Sequence, residues 1–115
     1  MIAVIFEGKA QSSLQKEYLD LSGQLRPVMD QIEGFISVER FQSLADPEKV
    51  LSLSFWKDEE GIRQLRDLEL HRIAETRGKE AIFSDYRIRV AEVTRDYGLL
   101  DRKEAPPELK PREKT

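Results

Sequence analysis

Up to Thr94 the apolar side chains change their spacing repeatedly, and the order of those changes admits few folds. Ile2 to Glu7 carries apolar residues on both alternating sets (Ile2, Val4, Phe6 and Ala3, Ile5), the pattern of a central strand covered on two sides. Ser12, with Gln15 three residues on, then reads as a helix start. Leu14, Tyr18, Leu21, Leu25, Val28 and Ile32 follow at helical steps, as one buried face. Pro27 lies inside that face, where its ring opposes the carbonyl of Gly23. A kink or break between two helical pieces is expected there, before a stop at Gly34.

Phe35 to Phe41 alternates as a strand, Ala45-Asp46-Pro47-Glu48 is a turn, and Val50 to Trp56 alternates again, so these two should pair as a hairpin. Asp58 suits a helix N-cap, with Glu59 and Glu60 in the first turn where the helix dipole favours negative charge. The second helix runs toward Arg77 and a stop at Gly78, with a break near Asp67 allowed by a looser apolar stripe. Ile82 to Thr94 reads as a long last strand, with Tyr86, Ile88 and Val90 on one face and Arg87, Arg89, Ala91 and Val93 on the other. Strand, helix, strand, strand, helix, strand is the α+β, ferredoxin-like split βαβ (βαββαβ) order: two helices on one face of a four-stranded antiparallel sheet. The uncovered apolar face predicts a second copy of the same sheet, a homodimer.

The domain occupies residues 1–98. Beyond it, the last fifteen residues hold nine charges and three of the five prolines, with no aromatic residue, so 99–115 reads as a charged tail. The whole chain has 115 residues and a net charge of −3. That leaves no basic field for nucleic acid or an anionic membrane surface, so neither is expected as a partner. The absence of cysteine excludes a disulfide framework, a thiolate nucleophile and Cys-type zinc or iron–sulfur sites, and fits a reducing cytoplasm. Met1 to Phe6 lacks a basic start and runs into Glu7 and Lys9, unlike a signal peptide or a membrane span. One histidine, His71, excludes multi-His metal sites, and no phosphate-binding glycine loop or nucleophile elbow is present. Nothing in the spacing of Asp58, Asp67 and Glu75 demands a metal.

Phe55-Trp56-Lys57-Asp58-Glu59-Glu60, Glu69-Leu70-His71-Arg72, Gly78 and the run from Tyr86 to Gly98, together with Gly34 to Phe41, resemble the antibiotic biosynthesis monooxygenase (ABM) domain family. The resemblance covers roughly residues 1–98. It implies a dimeric α+β barrel in which two sheets close face to face and each subunit keeps a pocket between its sheet and its helices. The family includes cofactor-independent oxygenases of phenolic or quinol-like aromatics as well as haem-degrading enzymes, so it specifies fold better than reaction. The haem-degrading pattern of Asn, Trp and His falls near Phe6, Leu65 and Glu75, none of which matches, and this disfavours haem cleavage.

A phenol or hydroquinone that loses its proton becomes electron-rich enough to reduce oxygen directly, so a base and an aromatic pocket suffice and no cofactor is expected. His71 is the candidate catalytic base. Trp56, Tyr86, Phe83 and Phe6 are candidate pocket walls, and Arg87 or Arg89 a candidate stabiliser of the anion. Other readings of the same residues stay open. His71 beside Glu69 and Arg72 suits a hydrogen-bonded surface position, Trp56 suits the core, and Arg87 and Arg89 suit a dimer-interface ion-pair ladder with Glu39 or Glu92. A non-catalytic dimer holding a small ligand, or a haem protein with an atypical ligand set, are the alternative functions.

Overall fold

The computed structural model describes residues 1–77 and 83–107, with the side chains of 69–77 left undescribed. Its elements run β1 (Ile2–Lys9), α1 (Ser12–Met29), β2 (Phe35–Gln42), β3 (Lys49–Trp56), α2 (Glu59–Arg77) and β4 (Asp85–Glu92). The strands form one antiparallel sheet in the order β2-β3-β1-β4, as expected of a split βαβ fold. β1 is central, paired from Ile2↔Trp56 to Lys9↔Lys49 on one side and from Ile2↔Glu92 to Lys9↔Asp85 on the other.

That register sorts the side chains into two faces, because directly paired residues share a face. Ile2, Val4, Phe6 and Gly8 lie with Trp56, Ser54, Ser52 and Val50, with Phe35, Val38, Arg40 and Gln42, and with Tyr86, Ile88 and Val90. The helices cover its middle, while Tyr86, Ile88 and Val90 on the edge strand β4 stay 62%, 49% and 46% exposed. Met29 and Ile32 meet Trp56 and Ile62 in the buried core, flanked by Ile2, Val4, Phe35, Val38, Leu65 and Leu68. The opposite face carries Ala3, Ile5, Leu51, Leu53, Phe55, Phe41 and Ala91, interrupted by Glu7, Glu39, Lys49, Arg87 and Arg89. Neither helix covers it, and Phe41 is 44% exposed. An irregularity between Phe35 and Ser37 inserts Ile36 as the extra residue of a β-bulge, which resets the alternation of β2.

The hairpin between β2 and β3 is closed by side chains. Ser43 Oγ accepts from the amides of Ala45 and Asp46, and Asp46 Oδ1 accepts from the amide of Glu48. Gly34 adopts φ +93° at the entry to β2, a backbone region that a side chain strains, and its carbonyl accepts from Lys57 N at 2.7 Å.

α1 starts at Ser12, as read from the sequence, with Gln11 as its N-cap and no side-chain cap. Other local expectations are corrected. Gln15 is buried and turned to a different use: its Nε2 donates to the carbonyls of Ala10 at 2.8 Å and Pro47 at 2.7 Å, fastening the start of α1 to the hairpin turn. α1 also continues through Pro27 to Met29 as one helix. Gly23 and Pro27 are both exposed, so a Gly23 carbonyl deprived of its helical partner has access to water. α2 likewise runs unbroken past Asp67. β4 is shorter than read from the sequence, although Ser84 N donates to Lys9 O and Val93 N to Met1 O just beyond its ends. Ile82 and Gly78 lie outside the described residues.

After β4 the chain makes local turns. Gly98 N donates to Asp101 O, Asp96 N to Glu104 Oε1, and the Arg102 guanidinium lies 5.2 Å from the centre of the Tyr97 ring. Leu99 and Leu100 stay exposed throughout.

Candidate functional site

On the helix-facing side of the sheet one rung reads Arg40, Ser52, Phe6, Ile88 from edge to edge, and the next reads Gln42, Val50, Gly8, Tyr86. Ser52 is small, which leaves height above β3 for a side chain from the helix layer. Tyr18 of α1 supplies it. The Tyr18 ring stacks with Phe6 at a centroid distance of 6.1 Å and meets Phe83 edge-on at 5.0 Å. Phe6 meets Phe83 at 5.0 Å, also edge-on, and stacks with Tyr86 at 6.0 Å. Edge-to-face and offset geometries of this kind satisfy the ring quadrupoles and hold the rings in place.

Gly8 makes this arrangement possible. A Cβ at this position would lie 2.6 Å from the Phe83 ring and 2.9 Å from that of Phe6, so only glycine lets the rings come down onto β1.

At the other end of Tyr18, Arg40 Nε donates to the phenolic oxygen at 3.4 Å, and the guanidinium carbon lies 5.7 Å from the ring centre. Arg40 is half-buried. Among the strand residues paired on this face it is the one cation, and among the described residues no carboxylate forms an ion pair with it.

Three residues singled out from the sequence, Phe6, Phe83 and Tyr86, therefore come together, and Trp56, Arg87 and Arg89 lie elsewhere. Trp56 is fully buried at 0% exposure, four residues along β3 from the Ser52 rung, with its indole N–H on Ser54 Oγ at 2.9 Å and the Phe35 ring edge-on at 5.2 Å. It holds the core at the far end of the sheet and has no surface left for a ligand. Arg87 pairs with Glu7 in the register and so lies on the opposite face from the aromatic cluster. It borders an open, polar depression of about 270 Å³ with Glu7, Lys9, Asp46, Lys49 and Asp85. Arg89 is on the same face, bonded within the chain to Glu7 at 2.9 Å. Lys49 holds the other oxygen of Glu7 at 3.2 Å. The Lys49 hydrogen bond, reinforced by the charges of Lys49 and Arg89, keeps the Glu7 carboxyl below its ordinary pKa. The side chain of His71 lies outside the described residues. Among the described residues no three His, Asp or Glu side chains gather closely enough to hold a metal ion.

Tyr18 and Arg40 were missed as site residues. Tyr18 is visible in the sequence only as part of the buried stripe of α1, and Arg40 only as one of several arginines on strands. The usable signal was alternation: Arg40 shares parity with Val38, so it had to lie on the covered side of the sheet.

A four-stranded antiparallel sheet with two helices on one face and an aromatic cluster between the layers defines a ferredoxin-like α+β domain. Residues 1–77 match the family model for antibiotic biosynthesis monooxygenase, and the chain belongs to that family. The jasmonate monooxygenase ABM of Pyricularia oryzae is 42% identical over 94 residues, which is 82% of this chain but 44% of that protein, so the chain spans less than half of its relative. Among solved structures, the cofactor-independent oxygenase SnoaB of Streptomyces nogalater superposes with a TM-score of 0.64 at 9% identity, over 83% of this chain and 94% of that one. A Mycobacterium tuberculosis protein superposes with a TM-score of 0.67 at 10% identity, over 84% and 98% respectively. Likeness at such low identity carries the fold alone.

Proposed function

We propose that this domain is a monooxygenase that oxidises a small aromatic or quinol-like molecule lying against Phe6, Phe83, Tyr86 and Tyr18, with no tightly held cofactor. The observation that carries this reading is the convergence of four aromatic rings between sheet and helices, in a chain whose family is that of the ABM monooxygenases. In this reading His71 on α2 removes the substrate proton, and the resulting anion passes an electron to oxygen. Where the substrate carries a conjugated CH₂, that carbon exchanges two hydrogens for one oxygen atom, and the second oxygen leaves as water. The substrate supplies all the electrons. Trp56 braces the scaffold, and Arg87 belongs to the open sheet face, against which a second copy packs to form a homodimer. No helix of the described residues is long and apolar enough to cross a membrane, and the cysteine-free chain suits the reducing cytoplasm in which this reading places it.

The identity shared with a jasmonate monooxygenase favours a second substrate class, cyclopentanone carboxylic acids. Hydroxylating an isolated C–H bond of such a compound consumes two electrons from outside. Oxygen uptake by the purified protein and its His71→Ala variant, against hydroquinones, naphthoquinols and jasmonate, with and without added reductant, tests both. Uptake on quinols without reductant, lost in the variant, supports the first reading. Uptake on jasmonate that needs reductant supports the second. Ligand binding with no uptake on any compound would leave a binding protein and remove both.

A further inference from the structure

We infer that the aromatic site takes an apolar molecule ending in a carboxylate, and that Arg40 and Tyr18 bind that carboxylate. This deepens the function proposed above and rests on the aromatic cluster being the substrate site. A half-buried guanidinium loses part of its hydration and ordinarily recovers it from a carboxylate. Arg87 and Arg89, both exposed, have water, and Arg89 has Glu7 as well. Arg40 has neither advantage in full: it spends Nε on a neutral phenol oxygen and, among the described residues, no carboxylate pairs with it.

Its two Nη groups form no hydrogen bond among the described residues, and Tyr18, having accepted from Nε, keeps its own O–H to donate. A carboxylate takes that set of donors well, since its two oxygens match the fork of a guanidinium and charge-assisted bonds are the strong ones. The body of the ligand has its own place. Arg40 and Phe6 occupy the same rung two strands apart, about 10 Å at ordinary strand spacing, with the Tyr18 ring between them. A ring against Phe6, Phe83 and Tyr86 and a short acidic arm reaching along Tyr18 to Arg40 span that distance. A neutral molecule of the same shape leaves the guanidinium without a counter-charge.

Anaerobic calorimetry with two quinols sharing one ring system tests this: 1,4-dihydroxy-2-naphthoate, which carries a carboxylate, and 1,4-dihydroxynaphthalene, which does not. The wild-type protein should bind the acid about tenfold or more tightly than the neutral compound, the scale of one charge-assisted bond. Arg40→Gln should abolish that preference while changing affinity for the neutral quinol less than about threefold. Tyr18→Phe, which keeps the ring, should reduce the preference in part, and Arg40→Lys should restore some of it. Equal wild-type affinities, or a preference that survives Arg40→Gln, would overturn the carboxylate assignment while leaving the aromatic site in place. Failure of both compounds to bind would overturn the site and the assignment together. Circular dichroism melting of Tyr18→Phe and Arg40→Lys guards against reading a folding defect as lost recognition.

Discussion

Gly8 on β1 and Phe83 are in such close contact that a single added methyl group at Gly8 would stand 2.6 Å from the ring. Gly8→Ala should therefore push Phe83 off Phe6 and Tyr18, destabilising the fold by about 1–3 kcal/mol as an overpacking change and weakening ligand binding more than its effect on melting explains. The comparison is Gly23→Ala in α1, where nothing lies within 4 Å of the new atom. That substitution should stabilise by roughly 0.5–1 kcal/mol through helix propensity. Paired thermal melts and binding titrations check both; an unperturbed Gly8→Ala would mean the cluster is looser than its ring distances show.

Gln15 joins the start of α1 to the turn before β3, beside the backbone hydrogen bond from Ala10 N to Glu48 O and the Lys9–Asp46 ion pair. Gln15→Leu keeps much of the volume but leaves the Ala10 carbonyl without this donor, while the Pro47 carbonyl keeps Gln42 Nε2 at 2.8 Å. The expected cost is about 1–3 kcal/mol, the usual result of orphaning a polar group at a buried site. Denaturant unfolding measures it. A neutral result would mean that water replaces the amide at no cost.

Glu7 gives the open sheet face an acid dependence. Its folded pKa is lowered by Lys49 and Arg89, so between the folded and unfolded values the unfolded chain binds more protons, and stability rises with pH there. The contribution is present above the ordinary carboxyl value of 4.5 and is lost as pH falls through the lower folded value. Melting temperatures of wild type and Glu7→Gln should converge on acidification through that window. Parallel curves from pH 7 down to pH 3 would show that the ladder adds nothing.

Leu53 sits in the middle of the face that neither helix covers, paired with Ile5 and Glu39. If a second copy closes over it, light scattering of the wild type reports twice the mass of the chain and Leu53→Glu shifts the protein to monomer at micromolar concentration. A monomeric wild type at the same concentration would refute the homodimer.

Strands, helices and their order were legible from sequence because periods of two and 3.6 are local properties of the backbone, and residues such as Ile2, Leu21, Leu53 and Ile88 report them directly. The antiparallel pairing followed from the order of elements and the short turn at Asp46-Pro47. Composition also determined which chemistry is absent, since a chain with one histidine and no cysteine cannot build several metal or thiol sites. Tertiary structure decided which aromatic residues meet. Trp56 and Phe6 look alike in sequence, yet register puts one at the core end of β3 and the other under Tyr18, four residues away along the sheet. It also decided the fate of the polar residues. Gln15 reads only as part of a helix start until the turn at Pro47 comes within its reach. Arg40 reads as one more surface charge until the chain folds back and lays it across Tyr18, 22 positions earlier in the sequence. Such partners depend on strand register and helix docking, which arise from packing across the whole sheet, so a local pattern does not encode them.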